Sequence, residues 1–175
     1  MFTKRMLAAS AVALVALSVP ATAGGSPSGN IVAAASASPD FKTLVAAVKA
    51  AKLVDTLASK GPFTVFAPTN AAFAKIDPAT LQSLLKPENR DQLAKILTYH
   101  VVAGRLDAAT ILQQINAGNG QAMLTTVEGS KLTAKLVGQN VVLVDENGGM
   151  STVTQTDLMQ SNGIIHVIDT VVMPS

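Results

Sequence analysis

The apolar positions of this chain follow two periods, one after the other. Phe41, Leu44, Val45 and Val48 stand at i, i+3, i+4 and i+7, the stripe of a helix with one buried face. Ser38-Pro39-Asp40 opens that helix with a cap, a proline at the first helical position and an acid facing the positive end. Leu53, Val54 and Leu57 prolong the helical region, with a kink after Ala50-Ala51, until Gly61-Pro62 stops it. Phe63-Thr64-Val65-Phe66 is aromatic or β-branched throughout and reads as a buried strand that Pro68 terminates. Thr69 or Asn70 is placed to cap a helix carrying Phe73 and Ile76, and Asp77-Pro78 repeats the cap-plus-proline start before Leu81, Leu84 and Leu85. A further helix covers Glu88 to Thr98, Tyr99 to Gly104 turns to strand character, and Asp107 opens a helix bearing Ile111, Leu112 and Ile115.

From Met123 onward the period becomes two. Leu132, Ala134 and Leu136 alternate with Lys131, Thr133 and Lys135. Strands are expected at Met123–Val127, Lys131–Val137, Val141–Val144, Ser151–Thr156 and Ile164–Val172, with turns at Glu128-Gly129-Ser130, Gly138-Gln139-Asn140 and Asn147-Gly148-Gly149. Helices first and an antiparallel meander afterwards make the class α+β. With no internal repeat, residues 38–175 form one module, preceded by a Gly-, Ser- and Ala-rich stretch, Gly24 to Ala37, that reads as a flexible leader.

The first residues change the picture of where the protein works. Lys4 and Arg5 precede an apolar run from Met6 to Val19, and Ala21-Thr22-Ala23 offers small residues for cleavage, so 1–23 reads as a signal peptide. The run is about fourteen residues, short of the ~20 a membrane span needs, so no transmembrane anchor is expected. Without Lys4 and Arg5, 13 − 2 = 11 basic residues face 11 acidic ones. No basic patch for nucleic acid is visible. The absence of Cys removes disulfides, thiolate metal sites and thiol nucleophiles, and with an aromatic share of 3% the core must be aliphatic.

Catalytic templates do not match. Ser59, Ser83 and Ser161 lack a nucleophile-elbow context, and Gly118-Asn119-Gly120 follows a helix where a phosphate loop would precede one. The two histidines, His100 and His166, have no second ligand at metal spacing, and Asp145-Glu146 lacks the alternating acids of a calcium loop, so it reads as a solvated hairpin tip. No enzyme, metal or cofactor is expected.

Three ordered segments, Thr64 to Phe73, Leu97-Thr98-Tyr99-His100-Val101-Val102 and Asn162-Gly163-Ile164-Ile165-His166-Val167-Ile168-Asp169, resemble the signatures of the fasciclin (FAS1) domain. The resemblance spans about Asp40 to Pro174. It implies a wedge-shaped β-sandwich with several helices packed on one side, in a secreted bacterial single-domain member with no enzymatic activity common to the family. It implies adhesion to an extracellular or cell-surface protein or polysaccharide, by a monomer in the periplasm or outside the cell. The family's contact positions match Tyr99, His100, Asp157 and Leu158, with Leu158 in place of isoleucine.

Each contact residue also has a scaffold reading. Tyr99 is either an interface aromatic or a core tyrosine with a bonded hydroxyl. His100 stands at a helix-to-strand junction where its ring can bond a free backbone group. His166 is either on the exposed side of its strand or a satisfied core group. Asp157 either caps a turn formed by Leu158-Met159-Gln160 or touches a partner. The alternative function, a carrier of a small apolar ligand between helices and sandwich, requires a cavity of ~300 Å³ or more.

Overall fold

The protein is described by a computed structural model over residues 29–59 and 61–175. The signal-peptide reading of 1–23 and the first residues of the leader lie outside the described residues.

The helices come mainly from the first half: α1 (Ile31–Ala37), α2 (Lys42–Ala50), α3 (Val54–Ala58), α4 (Asn70–Ala74), α5 (Pro78–Leu84), α6 (Arg90–Tyr99) and α7 (Ala108–Ala117). Their starts follow the capping residues. Thr69 accepts from the Ala72 N–H, Asp77 from that of Thr80 and Asp107 from that of Thr110. Asn70 has another task. Its Oδ1 accepts from the Thr43 N–H (3.0 Å) and its Nδ2 donates to the Pro39 carbonyl (2.8 Å), pinning α2 to the start of α4. Between α2 and α3 the helix breaks at Lys52, whose φ is +58°.

The leader reading is corrected for its last residues: Ile31–Ala37 is helix, not flexible chain. Asn30 caps it, and Ile31 and Ala35, one turn apart, are buried against the layer formed by α2 and α3. The Ile31 N–H is held by Asn162 Oδ1 at 2.9 Å. Composition suggested flexibility, but an alanine-rich stretch with apolar residues four apart is also a helix in search of a surface.

The strands are β1 (Phe63–Pro68), β2 (Val101–Ala103), β3 (Gln121–Thr125), β4 (Lys131–Val137), β5 (Asn140–Val144), β6 (Met150–Gln160) and β7 (Gly163–Ile168). They form one hydrogen-bonded series, β2-β1-β7-β6-β5-β4-β3. The first half of β6 pairs with β5 and the second half with β7, so the series folds over at β6 into two facing halves. A Val102–Thr126 bridge and the Val127 N–H to Val101 carbonyl bond (2.7 Å) draw its ends together. This is the expected sandwich with a helical layer on one side. The last strand departs from the expected antiparallel meander. β7 lies parallel to β1, pairing Phe63 with Gly163 through to Pro68 with Ile168.

That pairing explains why Ile164-Ile165-His166-Val167-Ile168 shows no polar alternation: both faces are covered. Val65, Ala67, Ile165 and Val167 face the helices, with Phe41, Leu44, Phe73, Leu93 and Leu97. Phe66 and Ile168 face the sandwich interior with Ile111, Ile115, Leu132 and Leu143. The Asp145-Glu146 hairpin tip, where Glu146 is exposed as expected and Asp145 is half-buried, also has a structural task. Asp145 Oδ2 accepts from the Met173 N–H (3.0 Å) and Glu146 Oε2 from the Ser175 hydroxyl (2.8 Å), so the tip anchors the C-terminal residues.

Candidate functional site

One row across the sheet carries both expected contact segments. Val101 pairs with Val65, Val65 with Ile165 and Ile165 with Leu158. Three strand spacings, roughly 14 Å, therefore separate the Tyr99-His100 segment from Asp157-Leu158. They do not meet in one patch.

Tyr99 and His100 are almost wholly buried, at 0% and 1% exposure. The Tyr99 hydroxyl donates to the Lys131 carbonyl at 2.9 Å, and burial pushes its pKa up to about 12. His100 sits at the C-cap of α6. Its Nδ1 contacts the Ile96 carbonyl (2.8 Å) and must donate there, while Nε2 accepts from the Val172 N–H (3.2 Å). Burial lowers its pKa to about 4, keeping the ring neutral. With no surface to offer, these two residues are scaffold in this structure. Any effect of theirs on binding passes through the residues they position.

Asp157 and Leu158 are on the surface. β6 changes register twice, between Val153 and Gln155 and between Gln155 and Leu158, and Asp157 takes a φ of +60° inside this irregularity. Two distant elements hold it there. Asp157 Oδ1 accepts from the Ala108 N–H at 2.8 Å, and the Asp157 N–H donates to His166 Nδ1 at 3.3 Å. Asp157 is therefore a cap, but of α7 rather than of its own following residues. His166 is a satisfied core group: fully buried, stacked on Phe66 at 5.5 Å, with Nε2 donating to the Leu106 carbonyl at 2.7 Å. Burial lowers its pKa, so it too is neutral.

The bulge presents Leu158 at 36% and Met159 at 48% exposure beside the Asp157 carboxylate. Bulges of this kind re-aim side chains and blunt an edge strand against indiscriminate pairing. Past Thr152 no β5 residue pairs with β6, so among the described residues its second half, paired with β7 on one side, has no strand on the other. Two more exposed apolar side chains, Met123 and Met150, lie in one row with half-buried Val144 on the outside of the other half.

Arg105 and Asn162 escaped the sequence reading as tertiary groups. Arg105 Nη2 donates to the Gln160 carbonyl (2.8 Å), and Asn162 Nδ2 donates to the Leu57 (2.6 Å) and Ser59 (2.9 Å) carbonyls. By sequence Asn162-Gly163 only introduces the final strand, and nothing local announces partners some fifty to one hundred residues away.

The space between helices and sheet, lined by Ile31, Leu44, Val48, Leu57, Leu97 and His100, is about 30 Å³. That admits roughly one water, an order of magnitude below a carrier's need. The apolar-carrier alternative is therefore set aside. Among the described residues no three His, Asp or Glu side chains are grouped to hold a metal, and no single helix is long and apolar enough to cross a membrane.

Comparison with known proteins gives this geometry a family. The profile of the Fasciclin domain matches residues 39–174.

The chain belongs to the fasciclin family.

It is 48% identical over 144 residues to Protein sll1483 of Synechocystis sp., covering 82% of this chain and 73% of that protein. It is 38% identical over 160 residues to the immunogenic protein MPB70 of Mycobacterium bovis, covering 89% and 74% respectively. Among solved structures, the FAS1 domain pair from the insect cell adhesion molecule Fasciclin I superposes with a TM-score of 0.73 at 20% identity. The match covers 83% of this chain and 51% of that one, so this fasciclin chain spans about half of the insect domain pair. At that identity the likeness speaks for the fold alone.

Proposed function

We propose that this fasciclin protein is an exported, non-catalytic interaction module that grips an extracellular or cell-surface protein through Asp157, Leu158 and Met159. The observation that carries the reading is the bulge itself. Its exposed apolar pair and acid are fixed in an unusual backbone conformation by His166 and by the start of α7. An apolar anchor beside a charge suits a protein surface, where a few large side chains carry most of the affinity. The non-catalytic part is supported by the histidines, whose ring nitrogens are all committed to backbone groups, leaving none to act as acid, base or ligand. Export is supported by the sequence of residues 1–23, and the interaction role by membership of the fasciclin family.

Cap and contact roles of Asp157 separate by substitution. Asp157→Ala leaves the Ala108 N–H without its side-chain acceptor and should cost about 1 kcal/mol, seen as a lower urea midpoint. Asp157→Asn keeps an acceptor and tolerates positive φ, so it should restore stability. If Asn restores stability but not retention on partner-bearing surfaces, the charge is a contact. If retention returns together with stability, Asp157 is a cap only.

A further inference from the structure

At the lower end of the sheet, where β1 begins and β6 turns into β7, an open cleft of about 540 Å³ lies against the tips of α1 and α3. Five of its lining residues are polar: Asn30, Ser59, Arg105, Ser161 and Asn162. We propose that this cleft binds a carboxylate-bearing saccharide, with the Arg105 guanidinium receiving the carboxylate. The site is separate from the Asp157–Met159 bulge.

Three features lead there. The first is a positioned cation. Arg105 is tied through Nη2 to the Gln160 carbonyl (2.8 Å) and more weakly to the Gly163 carbonyl (3.4 Å), neither of which neutralises it. Among the described residues the one ion pair is Lys95 with Glu128, elsewhere in the fold, and no acid lines the cleft. A guanidinium has five N–H donors in a planar fork. Its Nε and Nη1 have no acceptor among the described residues, which leaves donors suited to a carboxylate.

The second is a rigid floor. Asn162 commits its whole amide, donating to the Leu57 and Ser59 carbonyls and accepting from the Ile31 N–H. Gly61 and Gly163 sit so close to neighbouring backbone that a Cβ on either would collide with it. A preformed site loses little freedom on binding.

The third is the lining, which among the described residues has no large apolar side chain. A protein partner would find no anchor pocket here. A sugar would find the Ser161 hydroxyl and the Asn30 amide nitrogen, neither bonded within the described residues, and the small apolar face of Pro62. The volume is within the ~300–1,000 Å³ of small-molecule sites.

The test titrates the purified protein with hexagalacturonate, with maltohexaose as a neutral control and hexaglutamate as an acidic peptide, by calorimetry and amide chemical-shift mapping. Expected is saturable binding of hexagalacturonate, weakened by salt, with shifts concentrated at Ser59, Gly61 and Ser161–Gly163. Arg105→Gln should weaken it about tenfold or more, as loss of a charge-assisted pair does. Because Arg105 also straps Gln160, Ser161→Phe serves as the second variant. It fills the cleft, leaves the strap intact and should abolish binding. Equal binding of maltohexaose, preference for hexaglutamate, shifts mapping to Lys131 and Lys135, or no binding overturns the proposal. Leu158→Asp should leave this titration unchanged, so failure here and failure of the bulge reading are distinguishable.

Discussion

Replacing Phe66 by alanine should lower the unfolding free energy by about 3–5 kcal/mol, the usual cost of truncating a buried phenylalanine. Phe66 is fully buried in the middle of β1, packs with the sandwich interior and stacks its ring on His166. Its N–H donates to the His100 carbonyl at 2.8 Å, which ties β1 to the junction between α6 and β2. Against a domain stability of roughly 5–15 kcal/mol, that loss leaves little margin. A guanidinium titration reads it directly, and Phe66→Leu, which keeps most of the volume, should cost far less. The variant should also loosen the ring of His166 and so speed amide exchange at Asp157. An unchanged midpoint for Phe66→Ala would contradict the placement of β1 at the centre of the sheet.

The second large effect concerns acid. His100 and His166 are both held below the ordinary imidazole value by burial, His100 at about 4. Each ring accepts a backbone N–H on one nitrogen, from Val172 and from Asp157, and a proton added there would face another proton. The unfolded chain, with histidines near 6.5, therefore binds protons first as pH falls. The His100 contribution to stability is complete above about pH 6.5 and is lost as pH falls toward 4, at up to about 1.4 kcal/mol per pH unit, and His166 acts in the same direction. For His100 alone the loss between pH 7 and 4 should be about 3 kcal/mol. Hydrogen bonds from Thr110 and Ser175 hold the carboxyls of Asp107 and Glu146 below their usual range, and those groups act at lower pH. Denaturant titrations at pH 7, 5.5 and 4 check this. Stability that is flat or rising toward pH 4 would contradict the buried neutral rings.

What the chain disclosed by itself was local. Asp77 and Asp107 cap helices within three residues of themselves, and the alternation in Lys131–Val137 is a property of one strand. The parallel pairing of β1 with β7 joins segments a hundred residues apart, and no periodicity encodes it. By sequence β6 is expected to end at Thr156, because Asp157 is a turn-forming residue type. It continues to Gln160 because α7 and His166 satisfy Asp157 in place. The expected contact residues divide in the same way. Family likeness located Tyr99, His100, Asp157 and Leu158, but only packing distinguishes the first pair, sealed in the core, from the second, left at the surface. Arg105 was invisible because its meaning lies in the carbonyls of Gln160 and Gly163.

The central claim is that the β6 bulge is the gripping surface, and adhesion of matched variants tests it most directly. The purified protein, Leu158→Asp and the double variant Met123→Ser/Met150→Ser would be applied to immobilised cells and matrix proteins, with a melting curve for each. The expected result is that Leu158→Asp melts like the parent yet loses retention, while the double variant, altered on the opposite half of the sheet, is retained like the parent. Retention unchanged by Leu158→Asp, or lost in the double variant instead, would contradict the claim and move the interface to the outer face of β3–β6.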